Sequence, residues 1–324
     1  IVLGLDGAGF NVINPLVEAG RLPNIKKIMD EGEYCPLKST IQPSSEQAWS
    51  SFMTGMNNGK HGIYGFIQRK KNTYDFDIVN ARLRHGRSLW RILGDAGKKV
   101  CVLNVPMTYP PEPVNGRLVS SFFAPSTKSN YTYPSDLKKE IKTKFGEYII
   151  EVTAPVESPA KNPGETKKFI KKLEAQMNQS FKFIDYFLSK EDWDFFMYVF
   201  TYTERASHKL FREMREEHPE FGETVPTLYE GIDAKIGEVM ESLGEDDVLI
   251  VMSDHGLGHL KKVFMASRWL EREGFLVKKK SANLKKFINN NPLAGRVYTK
   301  LIKVFKTVVR TGFPSLMSKM IQAA

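Results

Sequence analysis

The chain has 324 residues, 41% apolar and 26% charged, with 24 Gly and 17 Pro, which excludes disordered, collagen-like and disulfide-scaffold classes and allows one large or two ordinary domains. Its net charge of +10 is concentrated in residues 260–324, where 15 Lys and Arg face only Glu271 and Glu273, while residues 1–259 are close to neutral. The two cysteines, Cys35 and Cys101, form no CxxC pair, which argues against a thiolate metal site and for a reducing, cytoplasmic setting.

Taken in chain order, the apolar run Ile1–Leu5 is the first expected strand, ending at Asp6-Gly. It starts without Met, so a truncated N-terminus and a removed signal peptide remain open. Pro43 to Gly55 reads as a short helix with Ser44 and Gln47 as a capping box and Gly55 as its stop. Ser45 then falls in the first turn, where free N–H groups and the helix dipole favour a phosphate oxygen.

A helix over Ser88–Ala96 precedes strands at Lys99–Val105 and Arg117–Phe122. The stretch from about 126 to 190 breaks the rhythm with two Pro-containing loops and a Lys-rich helix over Gly164–Leu188, and reads as an inserted cap. The strand Phe195–Thr201 leads into Glu204-Arg-Ala-Ser-His208, whose acid and imidazole share one helix face. A helix over Thr227–Leu243 precedes the strand Val248–Met252, which delivers Ser253-Asp254-His255.

Continuous apolar strands alternating with helices indicate an α/β fold with a mostly parallel sheet covered on both faces. Residues 1–259 form the expected catalytic domain, and 260–324 a basic helical segment of the same fold. Between Arg296 and Arg310, apolar residues recur at helical spacing with basic ones between them. This pattern fits a helix docked on its own protein, with peripheral contact to an anionic membrane as the alternative. No stretch reaches the roughly 20 apolar residues that span a bilayer, and no nucleic-acid-binding motif is present.

In such sheets ligands bind beyond the carboxyl ends of the strands. Asp6, the pair Glu204 and His208, and the pair Asp254 and His255 all stand there. Oxygen and imidazole donors without thiolate suit zinc, manganese or iron, and two such ions can clamp the attacking and leaving oxygens of a phosphoryl displacement.

Asp6-Gly, Ser45-x-x-Ala-Trp49 running to Thr54-Gly55, Gly59-Lys60-His61-Gly62 and Ser253-Asp254-His255-Gly256 together resemble the type I phosphodiesterase/nucleotide pyrophosphatase family of the alkaline phosphatase superfamily. Leu89-Trp90-x-Ile-Leu, Asn104 to Pro111 and Arg268-Trp269-Leu270 are similar to its prokaryotic branch of phosphohydrolases or phosphomutases. The resemblance spans nearly all of residues 1–275. It implies an alkaline-phosphatase-like fold and hydrolysis of a phosphodiester, pyrophosphate or phosphomonoester in a small phosphorylated substrate.

It also implies two divalent ions, zinc or else manganese. Asp6, the nucleophile Ser45, Asp254 and His255 would hold one, and Glu204, His208 and a further His the other. His259 is the remaining candidate for that last ligand. The family usually carries Asp where this chain has Glu204. Lys60 and His61 are candidate substrate-binding residues, and His61 could instead order the nucleophile loop. A phosphomutase, or a scaffold whose second metal site has decayed, is the alternative.

Overall fold

The apolar runs of the sequence become neighbours in one sheet. The computed structural model describes residues 1–277 apart from 74 and 261. Strand β1 (Val2–Leu5) is followed by helices α1 (Phe10–Glu18), α2 (Pro23–Glu31) and α3 (Ser45–Thr54), the single turn α4 (Asn58–His61), and a hairpin of β2 (Ile67–Arg69) with β3 (Phe76–Ile78). Helix α5 (Leu89–Asp95) leads to β4 (Val100–Val105) and β5 (Gly116–Ser120), and the short β6 (Thr132–Tyr133) to α6 (Leu137–Phe145) and α7 (Pro163–Leu188). Then come β7 (Phe195–Phe200), α8 (Tyr202–Arg215), α9 (Thr224–Glu241), β8 (Ile250–Met252) and α10 (Ala266–Arg272).

Among the described residues the main sheet has the order β6-β5-β4-β7-β1-β8. Every pairing is parallel except that of β6 with β5. Strands β1 and β4 are buried throughout and β7 nearly so, because alternate side chains serve two cores. Leu3, Leu5, Leu103, Phe196 and Phe200 pack on one face with residues of α1, α2, α7, α8 and α9. Val2, Val100, Val102, Met197 and Val199 pack on the other with Trp49 and Met53 of α3 and Trp90 of α5.

The stretch read as a cap is built into these layers instead of standing over them. Strand β6 extends the sheet, and Phe169, Leu173, Phe183, Ile184 and Phe187 of α7 belong to the larger core. The lysines Lys167, Lys168, Lys171 and Lys172 of α7 lie on its exposed side. The helix read between Arg296 and Arg310, with its docking or membrane contact, lies outside the described residues. No described helix is long and apolar enough to cross a membrane.

One contact decides where α3 lies. A Cβ built on Gly4 would stand 2.6 Å from Trp49 Cη2 and 3.0 Å from Val199 Cγ2. The missing side chain on β1 lets the buried indole lie directly on the strand, which sets α3, and Ser45 at its start, against the strand end. Gly4→Ala is therefore expected to force the indole off β1 and cost about 1–3 kcal/mol. A lower urea midpoint at unchanged m-value checks this; an unchanged midpoint would show that α3 is held by something else.

Candidate active site

The site forms beyond the carboxyl ends of β7, β1 and β8, three adjacent strands roughly 4.8 Å apart. Asp6 continues the ladder for one more residue, its N–H reaching Phe200 O at 3.1 Å. Thr203 Oγ1 donates to Asp6 O at 2.6 Å and fixes the start of α8 against this turn. Gly7 has a φ of +71°, and a Cβ there would meet Glu204 Cβ at 3.1 Å, so glycine is what lets the β1 turn approach α8. The Gly7 N–H donates to Asp254 Oδ1 at 3.1 Å, tying β1 to the end of β8.

These turns aim five predicted residues at one point. The Ser45 hydroxyl lies 2.9 Å from Asp6 Oδ1, 3.1 Å from His255 Nε2 and 3.4 Å from Glu204 Oε1. His255 Nε2 is 3.4 Å from Asp254 Oδ2 and 3.9 Å from both Asp6 Oδ1 and Glu204 Oε1. His255 Nδ1 sits 3.0 Å from Gly256 O. A carbonyl can only accept, so Nδ1 carries a proton and Nε2 is the ring nitrogen that faces the site. His208 Nε2 lies 3.2 Å from Glu204 Oε1, its side chain half exposed.

Ser45 is the first residue of α3, as expected, and Gly55 ends the helix in the left-handed region. The capping box does not form. Ser44 Oγ donates to Glu46 Oε1 at 2.8 Å, while Gln47 is drawn away to Tyr64 O at 2.7 Å and to Asn58. No side chain caps α3, which leaves its N-terminal N–H groups to meet an anion.

Three other candidates lie apart. His259 is exposed, and its charge acts on Glu216, not on the cluster. Between His255 and His259 the chain makes no helical turn, and His259 is not among the residues whose ligand atoms converge with those of Asp6, Glu204 and His255. His61 is buried, and both of its ring nitrogens meet groups of the protein. Its Nδ1 accepts from the Ile63 N–H at 3.1 Å and its Nε2 meets Ser51 Oγ at 3.0 Å, about 9 Å of helix rise beyond Ser45. It orders α3 against α4, its other expected role. Lys60 is exposed, and the contact made there is by its backbone N–H, to Asn57 Oδ1.

Sequence reasoning missed Glu46, Arg205 and Glu151, all buried within this neighbourhood. The first two stand beside Ser45 and Glu204 in the chain, which was the available signal. Glu151 comes from the irregular segment between α6 and α7 and carried none.

The electrostatics show a conflict among the acids. Burial, then Asp254 and Glu204, push the Asp6 carboxyl well above its ordinary range. Burial raises Asp254 to about 7, with the Gly7 N–H opposing and Glu204 adding to the rise. Burial acts to raise Glu204 too, but Arg205, His208 and His255 outweigh it and bring that carboxyl down to about 2. No N–H or O–H donor reaches Asp6 Oδ2 or Asp254 Oδ2.

The description of the type I phosphodiesterase / nucleotide pyrophosphatase family matches residues 1–312. The chain belongs to this family. Solved neighbours share the alkaline-phosphatase-like fold. Phosphonoacetate hydrolase from Sinorhizobium meliloti 1021 in complex with phosphonoformate superposes with a TM-score of 0.58 at 16% identity, over 84% of this chain and 60% of that one. The same enzyme in complex with phosphonoacetate gives 0.56 and 15%, over 85% and 61%. The chain thus spans about 60% of the length of these neighbours. None of the curated proteins matches it.

For a family member of this kind the donor set fits a divalent cation. Asp6, Glu204 and His255 each offer a ligand atom within 4.8 Å of one another, and the two unsatisfied carboxylate oxygens beside them supply the negative charge that a cation would neutralise. Without an ion, Asp6 and Asp254 bind protons more tightly folded than unfolded. Their contribution to stability is full below about pH 4 and is lost as pH rises, through about 7 for Asp254. Glu151, raised to about 7 by burial, acts in the same sense, whereas the contribution of Glu204 is lost only as pH falls toward 2. In excess EDTA the melting temperature is expected to drop by several degrees between pH 4.5 and 7.5, and zinc or manganese is expected to restore it. A melting temperature flat across that window would remove the charge conflict.

Proposed function

We propose that this chain is a metal-dependent phosphohydrolase with Ser45 as nucleophile, acting on a phosphodiester, pyrophosphate or phosphomonoester through a phosphoseryl intermediate. The observation that carries this reading is the convergence of Asp6, His255 and Glu204 within 3.4 Å of one serine hydroxyl at the start of an uncapped helix. Asp6, Asp254, His255 and Ser45 Oγ would hold one divalent ion, and Glu204 with His208 a second; zinc or manganese suits these oxygen and imidazole donors. Such ions, when bound, neutralise the developing charge on phosphoryl oxygens and acidify water to near neutrality.

The chain's own groups supply orientation and proton transfer. The Ser45 proton has Asp6 Oδ1 as its nearest acceptor, at 2.9 Å, and the free N–H groups of α3 face the phosphate oxygens. Attack by Oγ forms the serine–phosphorus bond and expels the first product, and water then breaks that bond. A phosphomutase would share the first half and return the phosphoryl group to its substrate. The phosphonate complexes of the neighbouring hydrolase support an anionic phosphorus compound as substrate.

Ser45→Ala is expected to lower hydrolysis of bis(4-nitrophenyl) phosphate on the order of 10³-fold or more, and to abolish the phosphorylated active-site peptide in a quenched digest, while ion content stays near wild type. Asp254→Ala and His255→Ala are expected to lose both ion and activity while retaining cooperative unfolding. Ser44→Ala, whose hydroxyl faces Glu46 and not the helix N–H groups, should stay within about fivefold of wild type, well short of a lost nucleophile. Normal turnover by Ser45→Ala would place the nucleophile elsewhere.

A further inference from the structure

Beside the groups that converge on Ser45 lies a second buried charged arrangement with no role in the chemistry above. Arg205 follows Glu204 in the first turn of α8, and Glu151 reaches it from the segment between α6 and α7; the side chains of both are only 10% exposed. Arg205 Nη2 is 3.1 Å from Glu151 Oε1 and 3.8 Å from Glu204 Oε2. The guanidinium carbon sits 5.0 Å from the centroid of the Phe122 ring, which is itself stacked on Phe123 at 4.8 Å. Arg205 Nε, Arg205 Nη2 and Glu151 Oε1 nevertheless make no aligned hydrogen bond.

A buried ion pair without aligned hydrogen bonds is a poor source of stability, since desolvating both charges offsets their attraction and apolar replacements of similar volume are often neutral. What this pair offers is position. The Glu204 side chain has three rotatable bonds, and His208, which meets its Oε1, is itself half exposed and on the same helix. Arg205 stands at the other oxygen, Oε2, and is in turn held by a carboxylate and an aromatic ring from two different segments.

We propose that Arg205 is a positioning residue, clamped between Glu151 and Phe122, that keeps Glu204 turned toward Ser45 and thereby sets the divalent-ion affinity of the site. The segment between α6 and α7 would then govern ion binding through Glu151. The inference rests on the metal-dependent reading above, and its test separates the two.

The full chain, stripped with EDTA, is titrated with zinc by calorimetry, and its metal-free melting temperature is recorded. The double variant Arg205→Met/Glu151→Met removes both charges and leaves neither orphaned. It is expected to melt close to wild type but bind zinc about 10- to 100-fold more weakly, the usual cost of losing outer-shell support. Arg205→Lys, which keeps the charge without the planar fork, should recover part of that loss, and Glu151→Gln should show a smaller loss of its own. Wild-type affinity in the double variant overturns the inference. If the double variant does not fold, the single variants decide: reduced affinity at wild-type melting temperature supports it, while unchanged affinity, or a loss that tracks a loss of stability, overturns it. A wild-type chain that takes up no zinc overturns the metal-dependent reading and this inference together.

Discussion

Asp6, Glu204 and Asp254 are buried around a single hydroxyl, and carboxylates so placed cannot all ionise without compensation. Much of the surrounding structure answers that constraint. Glycine at position 7 allows α8 to approach the β1 turn and offers its N–H to Asp254. Arg205 and His208 keep Glu204 ionised, and the His255 ring turns Nε2 inward. The unsatisfied oxygens of Asp6 and Asp254 are the part of the conflict that protein groups leave unresolved. The divalent cation proposed for the site would answer it with positive charge and a preference for oxygen and imidazole donors.

Burial also explains why so much of the fold can be read from the chain. Strands β1, β4, β5 and β7 are wholly or largely covered, and so are spelled as continuous apolar runs. The hairpin of β2 and β3 is exposed and only three residues on each side, with no such run to announce it. Helix α7 is legible in extent but not in placement, because its lysines draw the eye to the exposed side while Thr166, Gln176 and Ser180 interrupt the apolar spelling of its buried stripe.

The site divides in a similar way. Asp6, Glu204, Asp254 and His255 are legible because strand ends in this fold class face the ligand, and Ser45 because it opens a helix. Side chains that depend on partners distant in sequence are not. Gln47 is turned from Ser44 by Tyr64 and Asn58, and no local pattern announces that Glu151 will meet Arg205. His259 is a candidate only as the remaining histidine, and the irregular chain that follows His255 leaves it exposed.

The position of β1 between β7 and β8 bears on how the molecule is made. Among the described strands it comes first in the chain, yet its hydrogen-bonded neighbours are Met197 to Phe200 on one side and Ile250 to Met252 on the other. Its backbone therefore waits for most of the domain to emerge, and a parallel sheet of such long-range pairings folds slowly, with apolar surface exposed meanwhile. The last parallel strand to arrive among those described, β8, carries Asp254 and His255 at its end. Pairing of β8 with β1 would thus also bring Asp254 and His255 to the proposed ion site, so metal capture would report that β8 has joined the sheet.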